Sequence, residues 1–259
     1  MRTTIAFALI AALAACGPTP DIPTGSDLVP FEVKQANTRN TPVVITPADG
    51  PVREGVQALR FSVGPGQCAG NVSFDDCGNG RARSELVEAA PPPTGVERWY
   101  AVSFFVPTET AALGPSPTTL VQWQDTRGSG EITLGLSLWP EGIELVQDDP
   151  TTQQTDDNDP PRPMTIRTVL PDAALRGRWH DLRVRAIWSA GADGLLTVWL
   201  NDRQVLRHEG RNLNRDVAPT FKFGVYQSGL GRLSGEPPVQ VVFFDAIRRG
   251  ATAESVAVE

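Results

Sequence analysis

Between Pro51 and Gly250, hydrophobic and polar residues alternate in short runs that clusters of Gly, Pro, Asn and Asp separate. Alternation with a period of two is typical of β-strands with one buried face. The runs predict strands at Val56–Val63, Ala82–Glu88, Arg98–Val106, Thr119–Gln124, Glu131–Leu138, Gly142–Gln147, Trp179–Trp188, Leu195–Leu200, Gln204–His208, Phe221–Gln227 and Val239–Ile247. No amphipathic stretch of useful length predicts a helix. The pattern therefore indicates an all-β sandwich or barrel.

The strictest alternation lies in Thr220–Gln227. In a strand, this stretch turns Phe221, Phe223 and Val225 to one face and Lys222, Gly224 and Tyr226 to the other. The first face is predicted to be core. The second offers an ammonium group, a position without a side chain and a phenol, which suits a groove where a ligand lies close against the backbone. The alternative is a half-exposed strand whose polar residues face solvent.

Two further stretches carry chemically useful side chains on one face. Arg81, Arg83 and Glu85 share a face of the first stretch, and Gln122 and Gln124 share a face of the second. An arginine and a glutamate two residues apart can hold each other or grip a ligand, and amides can bond a carboxylate. If both stretches neighbour the strand described above in one curved sheet, their polar faces form a single groove. Otherwise each is a solvated outer face.

The charge of the chain narrows the class of ligand. The formal net charge is −7, with 30 Asp and Glu against 23 Lys and Arg, so no nucleic-acid binding is expected. Nearly all of the basic residues are arginine, whose planar fork matches a carboxylate with two parallel hydrogen bonds. This composition fits an acidic ligand held at one local site.

The N-terminal segment predicts export. Residues 1–15 have the pattern of a signal peptide, with Arg2 followed by an apolar run too short to span a bilayer. Leu13-Ala14-Ala15-Cys16 resembles a bacterial lipobox, which makes Cys16 the lipidated first residue of an exported lipoprotein at the outer membrane, periplasm or cell surface. Residues 16–50 are predicted to form a Pro- and Thr-rich tether, 51–250 one β domain and 251–259 a C-terminal tail. The alternative is an ordinary signal peptide that leaves Cys16 as a free thiol.

Two cysteines, Cys68 and Cys77, remain once Cys16 is assigned to lipid, and an exported protein meets an oxidising compartment. They are predicted to form a disulfide that stabilises the fold by about 2–3 kcal/mol. The alternative is a metal site, although no histidine lies near. If the bridge is only a staple, its removal should lower stability without altering the reaction.

The segment Asp148–Pro163 has too few apolar residues to pack and is predicted to be a surface loop, beside a cleft. A calcium site in this loop is an alternative, but its oxygen spacing matches no calcium-loop signature.

Three blocks of the sequence resemble the signature blocks of β-jelly-roll polysaccharide lyases, the alginate-lyase type and its relatives among glucuronan and heparin lyases. The blocks are Arg83-Ser84-Glu85-Leu86, Gln122-Trp123-Gln124 and Phe221–Gln227, in the order of the family. The resemblance covers most of the chain between the predicted tether and the predicted tail. It implies a β-jelly-roll sandwich of two antiparallel sheets, of the concanavalin-like kind.

The resemblance also implies a reaction, β-elimination at a uronic acid in an acidic polysaccharide. Arg83 and Gln122 would neutralise the sugar carboxylate as the C5 proton leaves, and Tyr226 would move the protons as base and acid. Glu85 would orient Arg83. The other predicted cleft residues are Arg81, Lys222 and Gln124. No cofactor or metal is expected, and the protein is expected to be a monomer that touches the membrane only through its N-terminal lipid.

Gln124 stands where the second block of the family usually ends in histidine. Because glutamine cannot accept a proton near neutral pH, there are two readings. Either Tyr226 carries both proton transfers, as the stereochemistry of glucuronate and mannuronate chains allows, or the fold is a non-catalytic carbohydrate-binding module.

Neither of the two histidines in the sequence is expected to replace the missing one. His180 is expected to make a structural hydrogen bond, and His208 is expected to be solvated. Hydrolysis is less favoured than elimination, because no strand carries the closely spaced pair of acids that glycosidases need.

Overall fold

Apolar side chains at every second position turn the short runs of this chain into strands, because alternate residues of a strand share one face. The computed structural model describes residues 28–35, 40–68, 75–125, 132–150 and 164–259. The strands are β1 (Val33–Gln35), β2 (Val43–Ile45), β3 (Ala58–Val63), β4 (Ala82–Glu88), β5 (Glu97–Phe105), β6 (Thr118–Gln124), β7 (Ile132–Trp139), β8 (Gly142–Asp148), β9 (Met164–Pro171), β10 (Trp179–Ile187), β11 (Leu195–Leu200), β12 (Arg203–Glu209), β13 (Thr220–Gln227) and β14 (Gln240–Gly250). A short helix, α1 (Asp172–Leu175), and 3-10 turns at Leu230–Arg232 and Glu254–Val256 are the helical elements of the described residues.

Within the described ranges the strands form two sheets of seven strands each. The first sheet has the order β1-β4-β13-β6-β7-β8-β9, and the second has the order β12-β11-β10-β5-β14-β3-β2. Neighbouring strands run antiparallel in both sheets. The predicted all-β fold, a jelly-roll sandwich of two antiparallel sheets, is confirmed.

Aromatic side chains join the two sheets. Phe223 of the first sheet lies 5.7 Å from Phe61 of the second, measured between ring centroids, and Phe61 lies 5.2 Å from Phe244. All three rings are fully buried, as are Trp123 and Phe221 beside them. Burying each side chain of this kind stabilises the fold by about 1.5–3 kcal/mol. The cluster therefore holds the inward faces of the two sheets together, and the polar residues lie on the outward faces.

Three strands of the described residues were not predicted from the sequence. β1 and β2 fall inside the predicted tether and pair with β4 and β3, while β9 follows the predicted surface loop and pairs with β8. β1 and β2 have only three residues each, too few to display an alternation. Val256, in the predicted tail, is buried, so the residues after β14 also pack against the sandwich.

Several predictions fall outside the described residues. The signal peptide and Cys16 lie within residues 1–27, so export and lipid anchoring stay predictions. Of the predicted loop Asp148–Pro163, residues 151–163 are not described, and Asp148 is the last residue of β8. No helix in the described part of the chain is long and apolar enough to cross a membrane.

The predicted disulfide is confirmed. Cys68 and Cys77 are bonded, with Cα atoms 5.0 Å apart. The bridge closes immediately before β4, so it lies next to a strand that was predicted to carry functional residues.

Candidate active site

Strand β13 lies between β4 and β6, so the three stretches with chemically useful faces are neighbours in the first sheet. Tyr226 lies opposite Arg83 of β4, and Lys222 lies opposite Gln122 of β6. Residues that pair in register point to the same side of a sheet. We call the outward side chains of β4, β13 and β6 the polar face.

Arg83 and Tyr226 are in direct contact on the polar face. The Arg83 guanidinium carbon lies 4.6 Å from the centre of the phenol ring, within the range of a cation–π interaction. Burial raises the pKa of Tyr226, the cations Arg81 and Arg83 act against that rise, and the carboxylates Glu85 and Asp76 add to it. Arg81 itself is exposed, so it acts on the phenol as a nearby surface charge.

Asp76 holds Arg83, and sequence reasoning missed it. Arg83 donates from Nε and Nη2 to the two carboxylate oxygens of Asp76, over 2.7 and 2.6 Å. The side chain of Arg83 is 15% exposed, and Asp76 is 1% exposed. Burial lowers the pKa of Arg83, but Asp76 and Glu85 outweigh that effect and the net pKa is raised. Asp76 precedes β4 in a turn, so no strand alternation could have identified it.

Glu85 bridges the two residues that were predicted to bind the substrate carboxylate. One oxygen of Glu85 accepts a hydrogen bond of 2.6 Å from the Gln122 amide, and the other lies 3.4 Å from Nη1 of Arg83. Both Glu85 and Gln122 are buried, and the amide oxygen of Gln122 has no hydrogen-bond partner among the described residues. Glu85 therefore contacts Arg83 as the resemblance implied, but its shorter bond fixes Gln122.

Lys222 and Gln124 form a second pair on the polar face. The Lys222 ammonium donates a hydrogen bond to the amide oxygen of Gln124. Lys222 is buried, whereas Gln124 is partly exposed. The residue at the position of the missing histidine is thus held by a cation, and as an amide it can orient a sugar but cannot take its proton.

Gly224 allows two strands of the sheet to pair closely. The sequence predicted instead that it makes room for a ligand. Its φ of +140° lies in a region that side-chain-bearing residues rarely adopt. A Cβ added there would lie 2.2 Å from the carbonyl oxygen of Ser84 and 2.8 Å from the Cα of Glu85. The pairing with β6 also shifts by one residue between Phe223 and Tyr226, as in a β-bulge. The missing side chain lets β4 approach.

Both histidines lie on the second sheet, away from the polar face. Buried His180 donates from Nε2 to the Leu175 carbonyl over 2.8 Å and accepts at Nδ1 from the Asn201 amide over 2.9 Å, and burial is the main cause of its lowered pKa. The expected structural hydrogen bond is therefore present. His208 was expected to be solvated, but it is only partly exposed and its Nε2 lies 2.8 Å from the Arg211 carbonyl.

The sequence profile of one protein family, described as Polysaccharide lyase, matches residues 31–248. Among solved structures, an endo-β-1,4-glucuronan lyase from the fungus Trichoderma reesei is similar with a TM-score of 0.63 and 18% identity, over 87% of this chain and 92% of that chain. No curated protein sequence matches the chain.

Two alginate lyases have similar folds. AlyC3 has a TM-score of 0.52 and 11% identity, over 82% of this chain and 90% of that chain. The enzyme vAL-1 from Chlorella virus has a TM-score of 0.51 and 13% identity, over 86% of this chain and 92% of that chain. At such low identity, the structural similarity concerns the fold alone.

Proposed function

The chain belongs to the polysaccharide lyase family, and from this membership we propose that it cleaves a polysaccharide containing uronic acid, of the glucuronan or mannuronan kind, by β-elimination. The observation that carries the proposal is the contact between Arg83 and Tyr226, which places a guanidinium and a partly exposed phenol side by side on one sheet. The solved structures with similar folds are named as a glucuronan lyase and an alginate lyase, and both of these polymers are acidic. This supports the substrate class.

In the proposed reaction, the Tyr226 phenolate takes the proton from C5 of the uronate. Negative charge then grows on the carboxylate, where Arg83 and Gln122 neutralise it. Gln122 donates one amide hydrogen to Glu85, and its second amide hydrogen would serve the substrate. The C4–O bond breaks as the C4=C5 double bond forms, and Tyr226 returns its proton to the leaving oxygen.

The absence of a histidine at position 124 limits the stereochemistry. A single phenol can take the proton from C5 and return it to the leaving oxygen only if the C5 proton and the leaving oxygen lie on the same side of the sugar ring. Glucuronate and mannuronate chains meet that condition. Lys222, Gln124 and exposed Arg81 would bind the neighbouring sugars and carboxylates of the chain.

The second candidate is a non-catalytic carbohydrate-binding module, and Gln124 at the histidine position is the observation that favours it.

Export and lipidation at Cys16, and a monomeric state, are likewise proposals, which rest on the sequence.

One assay separates the two functions. The domain is incubated with glucuronan, alginate, hyaluronan and heparin-type chains, and the ultraviolet absorbance of unsaturated products is followed. We expect absorbance to rise with the wild type on a glucuronan- or mannuronan-rich chain and not with Tyr226→Phe, which keeps the ring but lacks the ionisable oxygen. Binding of the polymer without unsaturated product would instead establish the binding module.

A further inference from the structure

The turn that follows the disulfide leads straight into the active-site strand. Asp76 is adjacent to Cys77, whose sulfur is bonded to Cys68. The carbonyl oxygen of Asp76 accepts a hydrogen bond of 2.7 Å from the Arg81 amide, and the Gly80 amide donates to the Cys77 carbonyl over 3.3 Å. The backbone of Asp76 is therefore fixed on one side by the bridge and on the other by the start of β4.

The side chain of Asp76 is fixed as well. Its two oxygens receive two hydrogen bonds from Arg83, and Asp76 itself is shielded from water. Two parallel hydrogen bonds from a guanidinium to a carboxylate determine the orientation of the guanidinium as well as its position. That orientation places Arg83 over the ring of Tyr226. Contacts thus run without a gap from the bridge through Asp76 and Arg83 to the phenol.

We propose that Asp76 is a positioning residue for the elimination, and that the Cys68–Cys77 bridge is a working part of the active site because it fixes the carboxylate that holds Arg83 against Tyr226. The proposal rests on the proposed function, since it assigns Arg83 and Tyr226 their roles there. It goes beyond the sequence-based view of the bridge as a staple, in which its loss would leave the reaction unchanged.

Asp75 provides a matched control within the same turn. Its carboxylate is exposed and accepts a hydrogen bond of 2.9 Å from the Gly78 amide. A substitution at Asp75 changes the same charge beside the same bridge, whereas the carboxylates that bind Arg83 in the hydrogen bonds described above are those of Asp76 and Glu85. Comparing Asp75→Asn with Asp76→Asn therefore separates the effect of orienting Arg83 from a general weakening of the turn.

Activity is the first measurement. We expect Asp76→Asn to lower kcat/KM on the best uronan by about tenfold or more, mainly through kcat, because a misplaced Arg83 stabilises the developing charge less well. Asp75→Asn should stay within about twofold of the wild type. Asp76→Glu, which keeps the charge but changes its reach, should recover part of the loss. A folded Asp76→Asn variant with wild-type kcat/KM overturns the proposal.

Direct titration of Tyr226 is the second measurement, and it does not depend on activity. The sequence has two tyrosines, and burial raises the pKa of the other one, Tyr100, much further, so Tyr226 ionises first. The charged groups that act on its phenol are Arg81, Arg83, Glu85 and Asp76. Arg83 lowers the pKa of Tyr226 by more than Asp76 raises it, so the midpoint should rise in Asp76→Asn as Arg83 leaves the ring, rise less in Asp76→Glu, and stay in place in Asp75→Asn. A fall in Asp76→Asn would mean that Arg83 keeps its place without Asp76, and it would overturn the proposal.

The bridge is tested with a Cys68→Ser, Cys77→Ser double variant, assayed well below its melting temperature with circular dichroism as a check of folding. We expect kcat/KM to fall several-fold and the Tyr226 midpoint to rise by less than in Asp76→Asn, because the carboxylate is retained but holds Arg83 less well. A folded double variant with full activity overturns the role of the bridge.

The outcomes distinguish the two proposals. If the wild type forms no unsaturated product from any of the four polymers, the proposed function fails. The titration still decides whether Asp76 holds Arg83 against the phenol, and a midpoint that does not rise in Asp76→Asn overturns the inference even in an active lyase.

Discussion

The polar face of the first sheet and the outer face of the second sheet are built from similar parts. On the second sheet, Trp99 of β5 and Trp199 of β11 lie on either side of β10, whose Arg183 and Arg185 complete what we call the tryptophan face. Arg183 lies 5.1 Å from one indole and Arg185 lies 5.7 Å from the other, close to the 4.6 Å between Arg83 and its phenol. Arginine over an aromatic ring therefore does not by itself mark an active site.

The difference lies in the carboxylates that hold each arginine. On the tryptophan face, Arg183 pairs over 3.6 Å with Asp202, whose side chain is 93% exposed, and Arg185 pairs over 2.6 Å with partly exposed Glu97. On the polar face, the carboxylates around Arg83 are buried. Exposed pairs are screened by water and contribute little, whereas a buried fork fixes a charge in place before any ligand arrives. Burial of the acceptor carboxylate therefore separates a preorganised arginine from one in an ordinary surface ion pair.

The largest effect should come from the arginines themselves. Arg83→Lys keeps the charge but loses the two-point fork, so we expect kcat/KM for unsaturated product to fall about 100-fold. Arg185→Lys, the same change on the tryptophan face, should leave kcat/KM within about twofold. Equal losses of kcat/KM in two folded variants would mean that both faces serve the reaction.

A smaller effect, on stability and not on activity, is expected from Trp199→Ala. The two indoles stack with ring centroids 5.5 Å apart and planes 12° apart. Losing this stack and the contact with Arg183 should lower the free energy of unfolding by about 1–3 kcal/mol, measured by urea denaturation, without reducing kcat/KM. Trp199→Phe should retain part of the stability. Lost activity in Trp199→Ala at full stability would contradict a purely structural role for the tryptophan face.

The smallest effect concerns pH. On the first sheet, burial raises the pKa of Asp148 at the end of β8 to about 7, while on the second sheet the hydrogen bond from Arg185 lowers that of Glu97. A carboxyl whose folded pKa exceeds its unfolded value binds more protons when folded, so the free energy of unfolding falls as pH rises from about 4 to 7. Glu97 contributes in the opposite direction, with stability that is lost as pH falls through its folded pKa.

Asp148→Asn should therefore gain stability relative to the wild type as pH rises through that window. Glu97→Gln should run parallel to the wild type there, because the contribution of Glu97 is already complete above the ordinary pKa of a glutamate. Urea denaturation is measured at about pH 4.5, 6 and 7.5, which spans most of the range between the unfolded and folded pKa values of Asp148, about 4 and about 7. The measurement gives the dependence of the free energy of unfolding on pH. Parallel curves for Asp148→Asn and the wild type would show that this carboxyl titrates normally.

Much of the candidate site could be predicted from the sequence because its residues lie on regular strands. The two-residue period assigns Arg83, Gln122 and Tyr226 to outward positions, and buried Phe221 and Phe223 on the opposite side of β13 explain why that assignment is unambiguous. The aromatic cluster that joins the sheets follows from the same alternation. Which strands would become neighbours came from the resemblance to known lyases.

The remainder escaped because it depends on turns, bulges and contacts between distant segments. Asp76 lies in a turn where no period applies, and only its fork with Arg83 reveals its role. Gly224 looks the same in sequence whether it faces a ligand or a neighbouring backbone, and the distance to Ser84 decides between them. The pairing of Lys222 with Gln124 required the register of β13 against β6.

The ammonium beside Gln124 has an evolutionary consequence. Glutamine and histidine codons differ only in their third base, so a point mutation could install an imidazole at this position. Lys222 would then disfavour the charged imidazolium, and the ring would stay neutral near neutral pH. Under the proposed reaction, a single base change would thus add a second proton acceptor beside Tyr226, and with it access to polymers whose sugars present their C5 hydrogen on the other face.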